Sequence, residues 1–207
     1  MTPLIRPYQP TDRPEVERIC IATGLRCTLD FVDPSLFARL WLNPYLGAEP
    51  EHTWVAETGG RVVGYLVSSM RDAFARQALA SNVTPLLRLG AGWLGGRYRC
   101  HAGSNRFVRW LVTRSWREQP RHPAGFAHLH FNLSADYRGG DLGRRLLQTF
   151  EQRARGLGLP GYYGILFLSR RRPARLYESQ GYRLYDQRPC SLFNDEPVQM
   201  ACIVKEW

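Results

Sequence analysis

An α/β fold is predicted for this 207-residue chain by three features of its pattern. An apolar segment ending at Leu133 runs into Ser134-Ala-Asp-Tyr-Arg-Gly-Gly-Asp-Leu-Gly143, a glycine-rich turn that opens a helix. Two alternating segments, His52–Glu57 and Arg61–Val67, flank Thr58-Gly59-Gly60, a hairpin signal. The second half then alternates strand, turn, helix, strand, short helix, glycine–aromatic pair and strand.

From the start of the chain, a first strand lies around Ile5. Asp12 and Glu15 have capping-box spacing, and Pro14 suits the first turn of a helix with Val16, Ile19 and Cys20 on its apolar face. A short helix is expected from Pro34 through Leu40 to Trp41, before the hairpin. Ala127-His-Leu-His-Phe-Asn-Leu133 is the strand that feeds the turn. The helix after it repeats Leu142, Leu146, Leu147, Phe150, Ala154 and Leu157, and Gly156, Gly158 and Pro160 stop it. Tyr162–Leu168 reads as a buried strand. A helix from Pro173 to Gln180 is closed by Gly181, where a left-handed residue is wanted, and Tyr182–Tyr185 starts another strand.

Between the hairpin and the Ala127 strand lies a long detour, residues 71–125, with helices expected at Asp72–Ala80, Thr84–Leu94 and Asn105–Glu118. The formal net charge is +10, and the stretch from Arg71 to Arg121 holds ten arginines against Asp72 and Glu118 alone, so most of the excess sits there. Three readings fit: a helical cover whose Phe107, Trp110, Leu111 and Trp116 fill a core while arginines solvate; an electropositive lid favouring an anionic acceptor; or a nucleic-acid surface. Arg170, Arg171, Arg172 and Arg175 pose a similar choice between cofactor phosphates and solvent.

One domain over 1–207 is expected, and the hydrophobic fraction of 44% argues against disorder. No apolar stretch approaches the roughly 20 residues that span a bilayer, so no membrane partner is expected. Met1-Thr-Pro-Leu-Ile lacks a signal-peptide pattern. Cys20, Cys27, Cys100, Cys190 and Cys202 have neither zinc spacing nor a disulfide framework, the plain reading being reduced thiols in the cytoplasm.

The turn before the second-half helix carries chemistry. Backbone N–H groups at a helix start are unpaired and sit at the positive end of the helix dipole, so they favour an anion. Arg138 and Arg144 add full charges. Such turns also serve tight packing alone.

This half of the chain resembles the GNAT superfamily of acyl-CoA-dependent N-acyltransferases. The resemblance rests on Arg138, Leu142 and Gly143 in the phosphate turn, and on Tyr177 followed by Gly181 and Tyr182. It implies a mixed central β-sheet flanked by helices, here with the detour inserted between the third and fourth strands. Two departures stand out: Asp141 where the family has its first turn glycine, and Ser169-Arg-Arg-Arg172 in place of an Asn. Arg6-Pro-Tyr8, Asn43-Pro-Tyr45, the insertion and His128-Leu-His130 look like bacterial relatives of the acetyltransferase-like C-terminal domain of O-GlcNAcase.

The resemblance implies acetyl-CoA as donor, its pyrophosphate on the backbone of Gly139, Gly140, Leu142, Gly143 and Arg144 with help from Arg138. Its pantetheine arm would lie along Phe131–Leu133, where a backbone N–H polarises the thioester carbonyl. Tyr177 would protonate the leaving thiolate; an aromatic there also simply packs. For the base, His128, His130 and Asn132 share one strand face. His130 is the first choice and His128 the second, although a strand histidine also serves as a structural hydrogen-bonding group and water could relay the proton. No metal site is expected. The acceptor, a small-molecule or peptide amine, is not named by the sequence, nor is the oligomeric state. The alternative is a GNAT-fold binding module, weak or inactive in catalysis, that recognises an anionic partner through the arginine-rich insertion.

Overall fold

A computed structural model describes residues 2–28, 31–71, 74–193 and 197–207, without the side chains of residues 25–28 and 75. The expected helix start at Asp72 and the Cys27 thiol therefore lie outside the described residues.

Seven strands among these residues form one sheet in the order β1-β2-β3-β4-β5-β7-β6. They are β1 Leu4–Pro7, β2 Thr53–Thr58, β3 Arg61–Ser69, β4 Ala127–Leu133, β5 Gly161–Leu168, β6 Arg183–Cys190 and β7 Val198–Glu206. Neighbours are antiparallel except β4 and β5, which are parallel, so the sheet is mixed. Gly59 and Gly60 both have positive φ, as a two-residue turn matching strand twist requires. Gly64 lets β3 and β4 approach: a Cβ there would fall 2.5 Å from a Leu133 methyl. The last strand was not read from the sequence, although Met200–Val204 is a continuous buried run. It inserts between β5 and β6, pairing with both.

Helices cover both faces. α1 Arg13–Thr28, α2 Pro34–Leu46, α3 Phe74–Leu94 and α4 Ala102–Thr113 are joined by a short α5 Ser115–Glu118. The first four meet one face through a core that includes Val16, Ile19, Phe37, Leu42, Tyr65, Leu89 and Phe107. α6 Leu142–Gly156 covers the other face, burying Leu142, Leu146, Phe150 and Ala154 against Leu129 and Leu133. A one-turn helix, α7 Arg175–Glu178, follows β5.

Several expectations shift in detail. Asp12 does not cap the first helix with Glu15. Its carboxylate accepts two hydrogen bonds from Arg6 and one from the Gln9 amide, while Glu15 pairs with Arg18. The Arg6 guanidinium, with the Gln9 amide, holds Asp12 below the usual carboxylate range against the opposing cost of burial. The two helices expected around residues 72–94 are one: α3 runs through Pro85, which is buried, and Asn82 ties it to α2 by donating to Leu40 O at 2.9 Å. Packing on α2 outweighs the weak helix propensity of Ser81-Asn-Val-Thr-Pro85. The expected Asn105–Glu118 helix instead begins at Ala102 and breaks at Arg114, where φ is −132°. Glu118 is then drawn to Trp110 Nε1 and to Ser191.

The insertion between β3 and β4 thus acts as a cover whose Tyr98, Phe107 and Trp110 are buried. Trp116 is the exception: it is 64% exposed with Arg117 4.5 Å over its ring. Among the described residues no helix is long and apolar enough to cross a membrane.

Candidate active site

β4 and β5 pair at only two positions, Ala127 with Tyr162 and His128 with Tyr163, and then diverge. The Ser134 amide donates to Val63 O at 2.8 Å, so the alternation along β4 turns the main chain of Leu129, Phe131 and Leu133 toward β5. Beyond the paired stretch, Phe131 and Leu133 therefore present peptide groups to an open gap. An extended ligand arm could add there as a strand would.

The gap leads to the turn. After β4 a single 3-10 turn, Ala135–Tyr137, reverses the chain; Gly139 follows with φ +80°, and α6 begins at Leu142. The first recorded helical bond runs from the Arg145 amide to Asp141 O at 3.0 Å. Among the described residues no acceptor meets the amides of Gly139, Gly140, Asp141, Leu142, Gly143 or Arg144. Asp141 stands at the cap position, yet its exposed side chain makes no cap hydrogen bond. Gly143 lies under the turn with room for a side chain: a Cβ there would make ordinary contacts, 3.5 Å from Phe131 and 3.6 Å from Leu133. Arg138 bends back, its Nε donating to Leu133 O at 3.0 Å, which places a guanidinium between the gap and the turn. Arg144 is exposed. The donors expected for a diphosphate thus lie together, and they are main-chain atoms.

On the opposite face of β4 stand His128, His130 and Asn132. Their surroundings differ sharply. His128 is buried, with Nδ1 2.9 Å from the Tyr45 hydroxyl and its ring among Phe74, Tyr45 and Tyr163. Burial, with His130 and His122 nearby, pushes its pKa down to about 3. His130 is half-buried beside the gap, stacked on Trp41 of α2 and tilted against Tyr65 of β3. Asn132 Nδ2 lies 2.8 Å from His130 Nε2 and donates to the Tyr65 hydroxyl at 2.9 Å. Desolvation lowers His130 to about 4, so the ring is uncharged at neutral pH. With the Asn132 nitrogen facing it, Nε2 accepts and Nδ1 carries the proton. An Asn132 amide turned end for end would accept from both neighbours and free the Nδ1 lone pair. Trp41 and Tyr65 were not read as site residues, because nothing local to either position signals the contact.

Tyr177 lies on α7, half-buried, with its ring at right angles to Tyr182 and 6.4 Å away. Gly181 has φ +82°, and the Tyr182 amide closes the turn on Tyr177 O at 3.1 Å. The Tyr182 hydroxyl is tied to Tyr162, which in turn donates to Glu151. Among the described residues the Tyr177 hydroxyl has no such partner. The Ser169–Arg172 segment forms a tight turn closed by two main-chain bonds, leaving Arg170, Arg171 and Arg172 exposed at the end of β5. Among the described residues no cluster of His, Cys, Asp or Glu could hold a metal ion.

The Acetyltransferase (GNAT) family model matches residues 21–182. Solved structures agree in fold. SsHAT is 24% identical at a TM-score of 0.61, covering 100% of this chain and 98% of that chain. The NatC complex bound to Gag peptide and CoA matches at 11% identity and a TM-score of 0.57, covering 100% and 99%. The polyamine N-acetyltransferase of Drosophila melanogaster, which forms N-acetylagmatine, matches at 16% and 0.56, covering 99% and 100%.

Proposed function

The chain belongs to the acetyltransferase (GNAT) family, and from that premise we propose that it transfers the acetyl group of acetyl-CoA directly to an amine, either a small molecule or a peptide terminus. One observation carries the reading: six consecutive amides, Gly139 to Arg144, stand without acceptors at the head of α6, at the end of a gap that exposes the Phe131 and Leu133 peptide groups. Acetyl-CoA, when bound, supplies the activated thioester. The amides of residues 139–144 bind its diphosphate, with Arg138 adding charge from its anchor on Leu133. The Phe131 and Leu133 main chain aligns the arm and polarises the acyl carbonyl.

The acceptor amine enters from the Trp41–His130 side. It must shed a proton before it can attack, and His130 takes that proton on Nδ1, with the Asn132 amide turned so that its oxygen accepts from the His130 Nε2–H and from the Tyr65 hydroxyl. Burial keeps the His130 imidazole uncharged at neutral pH, the form that can accept a proton. Tyr177, whose hydroxyl is not engaged elsewhere, donates the proton to the departing thiolate. His128 has no such role, since its imidazole is sealed in the core and bonded to Tyr45. Within the family we place this chain beside the bacterial relatives of the O-GlcNAcase C-terminal domain. Two of the segments that suggest this meet in space, where the Tyr45 hydroxyl lies 2.9 Å from His128 Nδ1.

Thiol release from acetyl-CoA against a panel of small amines and amino-terminal peptides tests the reading. Turnover of at least one amine, abolished by blocking the turn, is expected. Failure of acetyl-CoA to bind in calorimetry would sink it.

A further inference from the structure

We propose that a second site, independent of the acetyl-transfer reading, lies between α2 and the insertion and takes a small organic anion: one carboxylate, phosphate or sulfonate group on an apolar body. A cleft of about 520 Å³ opens there, the size of a small-molecule site. It is far from the turn in sequence and fold, and none of residues 127–144 lines it. Its floor is apolar, from Val32, Leu36 and Ala91, and three arginines stand around it: Arg39 from α2, Arg88 from α3, and Arg97.

These arginines are not equivalent. Arg97 holds Asp33 through two hydrogen bonds of 3.1 and 2.7 Å, and the Tyr98 hydroxyl donates to the same carboxylate at 3.0 Å. That triad is internally neutralised and builds a wall. Arg39 and Arg88 have no carboxylate or hydrogen-bond partner among the described residues. The cleft therefore offers two unneutralised guanidinium groups above an apolar floor. Among the described residues Asp33 is the one carboxylate lining it, and that group is already committed. The same commitment draws Asp33 from capping α2, whose cap position it occupies, so among the described residues the Ser35 and Leu36 amides are further unpaired donors at the rim. An organic anion satisfies both features at once; a cation meets repulsion, and a neutral apolar molecule leaves both arginines unused.

The outward face of α2 forms this cleft, while Trp41 and Tyr45 on its inward face touch His130 and His128. The site is thus separate from the gap between β4 and β5.

The test uses anilinonaphthalene sulfonate, an apolar body with one anionic group, added to the full chain saturated with CoA. Fluorescence titration should show one saturable site. Affinity should fall about tenfold or more in Arg39→Gln/Arg88→Gln, as expected when two charge-assisted contacts are lost, and remain unchanged in the control Arg114→Gln/Arg121→Gln. Leu36→Glu, which leaves both arginines in place, should also abolish binding. The proposal is overturned by equal binding to the Arg39/Arg88 double variant, by equal binding of uncharged phenylnaphthylamine, or by displacement of the dye on raising CoA. Because both arginines are exposed, their replacement leaves the core untouched.

Discussion

The two faces of β4 are built on opposite principles. On the side proposed to bind the donor, the candidate binding atoms belong to one stretch, Phe131 to Arg144, and nearly all are peptide groups. On the side proposed to receive the acceptor, Trp41, Tyr65, His130 and Asn132 come from α2, β3 and β4 and meet through their side chains. A main-chain device depends on conformation, so it tolerates changes of side chain and fails when the backbone approach is blocked. A side-chain constellation behaves in reverse: it survives small backbone changes and fails on a single substitution.

The largest expected effect comes from blocking the main-chain device. Gly143→Asp places a carboxylate at the second position of α6, among the amides proposed to hold diphosphate. Acidic residues in a first helical turn favour the helix dipole, and the added Cβ would make only ordinary contacts at 3.5 and 3.6 Å. Folding stability should therefore hold or rise while the Kd for acetyl-CoA increases about a hundredfold or more, as an anion site with reversed charge implies. Calorimetry beside a thermal melt reads both. A variant that binds acetyl-CoA normally would remove the distinction between the two faces.

On the acceptor side, His130→Gln should lower kcat by roughly a hundredfold, the low end of general-base contributions, with little change in acetyl-CoA affinity. His128→Gln should change kcat far less and stability far more. Equal kinetic loss in both would mean that the strand face acts as a unit. Tyr177→Phe comes next, with kcat reduced about tenfold to a hundredfold and acetyl-CoA binding retained. Its diagnostic signature is selectivity: donors with a better leaving thiol than CoA should recover much of the loss.

These contrasts also explain what the sequence could disclose. The turn was legible because its parts are adjacent: a strand's end, glycines, and a helix with Leu142, Leu146, Phe150 and Ala154 on one face, all buried as expected. Gly59-Gly60 and Gly181 were legible because a positive φ leaves a local mark. By contrast, Trp41 was read only as the end of a helix that in fact continues to Leu46. Its stacking on His130 depends on how α2 crosses the sheet, which no short window encodes. The mixed sheet came from the family resemblance, and the position of β7 between β5 and β6 was missed, since an apolar run does not say which strands it joins. The α3 boundary was misplaced because Pro85 reads as a break until α2 packs alongside. The arginine excess was plain in composition, yet its sorting into the committed Arg97 and the Arg39 and Arg88 that lack a partner among the described residues required the structure.

A pH experiment sharpens the comparison between the two histidines. Unfolded, an imidazole protonates near its ordinary value of about 6.5; folded, burial holds His128 to about 3. Between these values the unfolded chain binds the extra proton, so stability falls as pH falls through that window. From pH 7.5 to pH 5 this one group should remove on the order of 2 kcal/mol, measured by denaturant unfolding at each pH. His128→Leu should start lower, because Tyr45 loses its partner, but its stability should depend less on pH. An unchanged slope would show that His128 titrates normally and is not sealed.

The smallest expected effect concerns Asp141, the residue that departs from the family turn. Its carboxylate is exposed, does not cap α6, and stands beside the amides proposed to receive a diphosphate. A like charge about 4 Å away costs roughly 1 kcal/mol in water. Asp141→Asn, which removes the charge and keeps the size, should therefore tighten acetyl-CoA binding about fivefold, with the gain shrinking as salt is raised. Asp141→Gly should gain a similar amount if charge alone opposes the ligand, and more if the side chain also obstructs it. A loss of affinity in both variants would give the carboxylate a positive role, for instance in holding the turn open. The donor side would then depend on a side chain after all.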